Sequence, residues 1–127
     1  MKHIIVVAAV IERGDTILCV QRGQARYEYL SEKWEFPGGK MEADETEQET
    51  IQREIMEELG MAILIHSKLV VVEHHYPDFH LTMHAYRCSS ADEPQLKEHQ
   101  ASAWLAKGQL NKLDWAAADI PIVNALL

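Results

Sequence analysis

Residues 38–61 constrain this chain more than any other stretch: Gly38 and Gly39, a polar loop, a run of helical periodicity, then Gly60 and Met61. Ile51, Ile55 and Leu59 recur every four residues and form one apolar stripe. One side of this helix must therefore be buried against another element. Thr46 or Asp44 caps its start, and Glu49, three residues after Thr46, has the spacing of a capping box. Gly60 suits a left-handed C-terminal cap, where a Cβ would clash.

Glu54, Glu57 and Glu58 use a different side of the helix. At about 100° per residue they fall within an arc of roughly 100°. Acids three and four residues apart lie about 5–6 Å apart at Cβ and repel one another, which weakens a bare helix. A cation reverses that sign, and hard divalent ions such as Mg²⁺ take oxygen ligands. Arg53 projects elsewhere, placed to pair with an acid or hold a loop. Most charge runs are solvated faces and nothing more. The glycine pair, the loop and the fixed stop argue for more here.

Gly39, five residues, Glu45, seven residues, then Arg53-Glu54-Ile55-Met56-Glu57-Glu58-Leu59-Gly60-Met61 resembles the complete Nudix box, with every fixed position filled. The likeness extends beyond it. Trp34 to Lys40, Tyr76 to His80 and Ala118 to Pro121 look like MutT-type members. Glu98-His99-Gln100, Trp104 and Ala118 to Pro121 together are closer to the CTP pyrophosphohydrolase branch.

The chain has 127 residues, which fits one domain spanning 1–127, and 47% hydrophobic content is enough for a core. Its formal net charge is −8. That disfavours a nucleic-acid polymer, whose phosphates call for stripes of Lys and Arg. A nucleotide is still accommodated if metal ions stand between carboxylates and phosphates. Between Glu42 and Glu58 eight acids face one base, Arg53, so much of the imbalance sits in the motif. Cys19 and Cys88 lie in strand-like runs without metal-site spacing and read as reduced, buried thiols. The apolar start, Met1 to Val10, lacks a signal peptide's long apolar region and cleavage site, and no run reaches membrane-spanning length. A cytoplasmic location, no membrane partner and a monomer or weak dimer are expected.

Taken in order, Ile4 to Glu12 reads as a buried strand, Arg13-Gly14-Asp15 as a turn and Thr16 to Arg22 as the return strand. Gly23 to Lys33 is expected as a surface loop over a pocket mouth. Trp34 to Pro37 is a short strand whose pairing Pro37 ends. After the motif, Ala62 to Tyr76 is one bulged strand or two short ones, Pro77-Asp78 turns, and Phe79 to Cys88 returns antiparallel. Ser89 to Lys97 is a loop, Gln100 to Leu105 a last strand, and Lys107 to Leu110 a helical turn. Ala116 to Leu127 is a helix with Pro121 in its first turn. Strands first and last with helices between and after suggest a mixed sheet covered on both faces, an α/β (α+β) fold. The family resemblance implies an α/β/α sandwich.

The resemblance further implies a hydrolase using Mg²⁺, with Mn²⁺ as a substitute. Its metal ligands would be Glu54, Glu57, Glu58 and the Gly39 carbonyl, with Glu98 as a further carboxylate. Glu54 would act as general base, with Glu98 the second choice. Arg53 would fix helix and loop, and Arg22 and Lys40 would contact phosphate. Ile4, Val6, Phe36, Tyr76, Phe79 and Asp119 would surround the base. The implied activity converts a small-molecule nucleoside triphosphate to a monophosphate and pyrophosphate, on CTP, dCTP or oxidised or methylated dCTP. An 8-oxo-dGTP diphosphatase and a non-catalytic nucleotide binder are the alternatives.

An Asn occupies the place of Asp119 in MutT-like relatives that read oxidised guanine. An ionised Asp only accepts hydrogen bonds, and a protonated one could also donate; an acceptor suits the exocyclic amine of cytosine, although guanine also carries an amine. The competing role for Asp119 is a helix cap near Pro121. His74, His75, His80 and His84 lack Cys partners and zinc-site spacing, so strand-face packing or pocket lining is expected of them. Trp34, Trp104 and Trp115 read as core or pocket-edge anchors.

Overall fold

The computed structural model describes residues 1–127. Seven strands and two helices form in the order β1 (Lys2–Arg13), β2 (Thr16–Arg22), β3 (Trp34–Glu35), β4 (Gly38–Lys40), α1 (Glu47–Leu59), β5 (Leu64–His75), β6 (Phe79–Ser89), β7 (His99–Ala106) and α2 (Ile120–Leu126). Short 3-10 turns cover Lys107–Lys112 and Ala117–Asp119. The strands make one mixed sheet in the order β3-β2-β1-β6-β5, with β4 added to β1 and β7 to β2. Only β1 and β6 run parallel, in register from Lys2↔Phe79 to Glu12↔Ser89.

Strand alternation sends the buried residues of β1 to two cores. Val7, Ala9 and Ile11 pack with Ile51, Ile55 and Leu59 of α1. Ala8 and Val10 face the other side, with Ile122, Val123 and Leu126 of α2. Each fully buried Ile or Leu contributes about 1.5–3 kcal/mol, so both helices are held by their stripes. The result is the expected α/β/α sandwich around a mixed sheet.

Strands β1 and β2 pair only at Glu12↔Ile17 and Arg13↔Thr16, and then diverge. Strand β4 takes the vacated edge of β1, from Val6↔Lys40 to Ala8↔Gly38, while β3 and β7 flank β2. A cleft of about 550 Å³ opens where the sheet splits.

Several boundaries differ from expectation. Gly38 to Lys40 is a strand, not a loop, so Pro37 interrupts pairing without ending it, and its carbonyl accepts from the Ala9 N–H at 2.8 Å. The close approach depends on glycine, because a Cβ on Gly38 would stand 2.0 Å from the Val7 carbonyl oxygen. Strand β5 is continuous, with irregularities at Ile65/Ser67 and Lys68/Val70. The first residues of β1 are not buried, since no helix covers Lys2, His3 and Ile5. The last helix begins as a 3-10 turn and becomes α-helical at Ile120.

Candidate active site

Helix α1 is held at both ends. Thr46 is the cap rather than Asp44: its Oγ1 accepts from the Glu49 N–H at 3.1 Å, and Glu49 Oε1 accepts from the Thr46 N–H at 2.9 Å. Gly60 closes the other end at φ 64°, donating to the Met56 carbonyl. These caps set the rotation that buries Ile51, Ile55 and Leu59, and that rotation places the acids.

Arg53 ties this helix to the preceding loop. Its Nε and Nη2 donate to Glu45 at 2.6 and 2.9 Å, and Nη2 also donates to the Lys40 carbonyl at 3.2 Å. Its Nη1 donates to Glu54 Oε1 at 2.9 Å and to Glu57 Oε2 at 3.2 Å. The fork geometry of a guanidinium suits this load, and Lys could not reproduce it. Hydrogen bonds from Arg53 and the Glu42 N–H hold the Glu45 carboxyl down at about 2.

The other acids meet the opposite condition. Glu58 is only 9% exposed, and one oxygen accepts from the Gly38 N–H at 3.3 Å. Burial, then the charges of Glu54, Glu35 and Glu98, push its carboxyl up to about 8. Burial also raises Glu54, against the pull of Arg53. The Glu54 carboxylate lies against Gly39, where a Cβ would meet it at 2.3–2.7 Å. This donor set fits a hard divalent cation: every ligand is oxygen, and burial with mutual repulsion penalises its negative charge.

The expected residues separate into two groups. Ile4, Val6, Arg22, Phe36, Gly39, Lys40, Glu58, Tyr76, Phe79, Glu98 and Asp119 all line the cleft. Arg53, Glu54 and Glu57 do not; Arg53 draws the carboxylates of Glu54 and Glu57 to itself. The loop from Gly23 to Tyr27, with Leu30, lies at the mouth as expected. Tyr29 stacks on Tyr76 at 5.0 Å and donates to Asp78 Oδ2 at 2.7 Å, anchoring that loop to the β5–β6 turn.

Asp119 does not cap α2 with its side chain. Its Oδ1 accepts instead from the Phe36 N–H at 3.0 Å, joining residues 83 apart in sequence. Burial first, and Glu35 second, push this carboxyl well above its ordinary range; the Phe36 N–H and Arg22 oppose the shift. Tyr76 Oη accepts from the Ala118 N–H at 2.9 Å and braces the same wall.

Glu35 and His99 complete the cleft without having been expected there. Arg22 Nε donates to Glu35 Oε1 at 2.6 Å, and His99 Nε2 lies 3.1 Å from Glu35 Oε2. His99 Nδ1 is buried with no partner. The only local signal was an acid between Trp34 and Phe36, where a half-buried strand needs a partner for any charge. His80 and His84 do not line the cleft; they alternate with Phe79, Leu81 and Met83, which do.

Comparison with known proteins agrees with this geometry. The family model described as NUDIX domain matches residues 6–125. The "Putative 8-oxo-dGTP diphosphatase 2" of Mycobacterium tuberculosis is 39% identical over 124 residues, covering 94% of this chain and 84% of that protein. The CTP pyrophosphohydrolase of Escherichia coli strain K12 is 36% identical over 140 residues, covering 100% and 93%. The solution structure of the E. coli ORF135 protein superposes with a TM-score of 0.86 at 35% identity, covering 99% of this chain and 89% of that one. A filled box on a capped helix, a glycine strand against its acids and a full-length match to the family model lead to one conclusion: the chain belongs to the Nudix family of hydrolases.

Proposed function

We propose that this hydrolase converts nucleoside triphosphates to a monophosphate and pyrophosphate with Mg²⁺, and that cytidine nucleotides are its preferred class: CTP, dCTP, or oxidised or methylated dCTP. The observation that carries the base assignment is the buried Asp119 carboxyl on the cleft wall, with Oδ1 pinned as an acceptor by the Phe36 N–H. With Oδ1 taken by the Phe36 N–H, the base would meet Oδ2, which in the ionised form is an acceptor: cytosine presents an amine to it, whereas uracil presents a carbonyl, and two facing acceptors repel. Burial raises this carboxyl, and its protonated form would also donate. A mismatched base leaves a buried polar group unpaired, which is why one such contact discriminates well. Full-length similarity to the E. coli CTP pyrophosphohydrolase supports the same class.

Glu54, Glu57, Glu58, Glu98 and the Gly39 carbonyl would hold Mg²⁺, with Mn²⁺ as a substitute. When bound, the ion supplies charge neutralisation at the phosphates and makes water easier to deprotonate. Glu54 takes the proton of the attacking water, and Glu98 is the second candidate. Glu35 occupies Arg22 Nε, which leaves the terminal guanidinium nitrogens for phosphate oxygens, and Lys40 adds a point charge at the rim. Ile4, Val6, Phe36, Tyr76 and Phe79 enclose the base. Arg53 acts through Glu54 and Glu57 as a positioning residue. Phosphoryl transfer asks for positioning and charge stabilisation more than covalent chemistry, which this arrangement is suited to supply. The working form is a monomer or weak dimer in the cytoplasm, acting on small nucleotides; no helix is long and apolar enough to cross a membrane.

The M. tuberculosis relative favours a second reading, hydrolysis of 8-oxo-dGTP. Pyrophosphate release with Mg²⁺ across CTP, dCTP, 5-methyl-dCTP, UTP, dGTP and 8-oxo-dGTP decides between them. A higher kcat/KM for 8-oxo-dGTP than for any cytidine nucleotide would favour the second reading. Binding without turnover of any member would make the chain a nucleotide-binding domain.

A further inference from the structure

We propose that His3, Glu73 and His80 form a second metal site, selective for a divalent transition ion such as Zn²⁺, on the face of the sheet opposite the nucleotide cleft. The three residues come from β1, β5 and β6 and offer ligand atoms within 4.8 Å of one another. Register brings them together. His3 is the partner of His80 in the parallel β1–β6 ladder, and Glu73 pairs with Thr82, two residues beyond His80. Ile4, Phe79 and Leu81, which alternate with these residues, line the cleft on the other face.

The side chains are already linked. Glu73 Oε2 lies 2.6 Å from His80 Nε2. Thr82 Oγ1 donates to Glu73 Oε1 at 2.8 Å, which uses its only proton, so at 2.7 Å it must accept from His3 Nε2–H. The His80 ring stacks between His3 at 4.5 Å and His75 at 4.1 Å. An imidazole ligates a metal through an unprotonated ring nitrogen, and the stack fixes how the His80 ring is presented.

Ligand type separates this site from the first. Two imidazoles and one carboxylate match Zn²⁺ and its neighbours in the series, whereas an all-oxygen set matches Mg²⁺. Bonds of about 2.0–2.1 Å require the ligand atoms to converge to roughly 3–3.5 Å. His3 and Glu73 are exposed strand-surface residues, so the ion would take the place of the His3–Thr82 and His80–Glu73 hydrogen bonds, and water can fill the remaining positions. Thr82 stays behind Glu73 as an outer partner. The ion would staple the uncovered start of β1 to β5 across β6.

Titrate the whole protein with Zn²⁺ by calorimetry, and with Co²⁺ by visible absorption, both in saturating Mg²⁺. The expected result is one tight equivalent that survives Glu57→Gln and raises Tm. His80→Gln and Glu73→Gln should each weaken it by at least about tenfold, the low end for losing even an outer-shell partner. His3→Gln, at the exposed strand start, provides the test should His80→Gln fail to fold. Absence of that equivalent from the Mg²⁺-saturated wild type would overturn the proposal. So would an affinity unchanged in the folded variants, which would put the ion elsewhere.

Discussion

Replacing Glu58 by Gln should stabilise the metal-free protein at alkaline pH while removing its activity. The Glu58 carboxyl has an ordinary value of 4.5 and is pushed up to about 8 in the fold, mainly by burial and then by Glu54, Glu35 and Glu98. Its folded value lies above its unfolded one. Stability from this group is therefore fully present below about pH 4.5 and is lost as pH rises through about 8. At about 1.4 kcal/mol per pH unit over that window, the ceiling is roughly 5 kcal/mol. Side-chain relaxation and water entry lower the real penalty, and about 2–3 kcal/mol is the expected loss. Gln keeps an acceptor for the Gly38 N–H and carries no charge. Urea unfolding in EDTA at about pH 5 and pH 8.5 measures the difference. Wild type should lose stability relative to Glu58→Gln across that range, and Mg²⁺ should restore wild type more than the variant. A wild-type-to-variant gap identical at both pH values would refute the reasoning, because the carboxylate would then carry no penalty for a cation to relieve.

Glu57→Gln should abolish most turnover without unfolding the chain, and near-native rates in saturating Mg²⁺ would remove Glu57 from the ligand set. Glu54→Gln should cut kcat by about 10²-fold or more, the scale of a lost general base; a far larger loss in Glu98→Gln across the pH range would exchange the two roles. Asp119→Asn should narrow the preference for CTP over UTP, because an amide can rotate to donate, and an unchanged substrate ranking by kcat/KM would remove Asp119 from base recognition. Asp119→Ala should cost about 1–3 kcal/mol in urea unfolding, because it strands the buried Phe36 N–H. Gly38→Ala should cost about 3 kcal/mol, because the Val7 backbone cannot retreat, whereas the atoms nearest a Cβ on Gly39 belong to the Glu54 side chain, so Gly39→Ala should lose activity while remaining folded. Equal thermal stability of the two glycine variants would contradict that contrast.

What the sequence determined by itself is local. The capped helix, its apolar stripe, its acid arc and its glycine stop depend on residues within a few positions of one another, where spacing and backbone preference act directly. The β1–β2 turn and the β5–β6 hairpin were legible for the same reason. Tertiary structure alone decided that β6 lies parallel to β1, since nothing in either strand's alternation encodes its partner. The cleft follows from that pairing and from the divergence of β1 and β2. The same long-range geometry puts Glu35 between Arg22 and His99, hands the Asp119 carboxyl to Phe36 rather than to its own helix, and brings His3 to Glu73 and His80. Gly38 and Gly39 span both levels. Their presence marked a special backbone, but only the packed strand showed why: one lies against the Val7 carbonyl, the other against the Glu54 carboxylate, and neither neighbour is close in sequence.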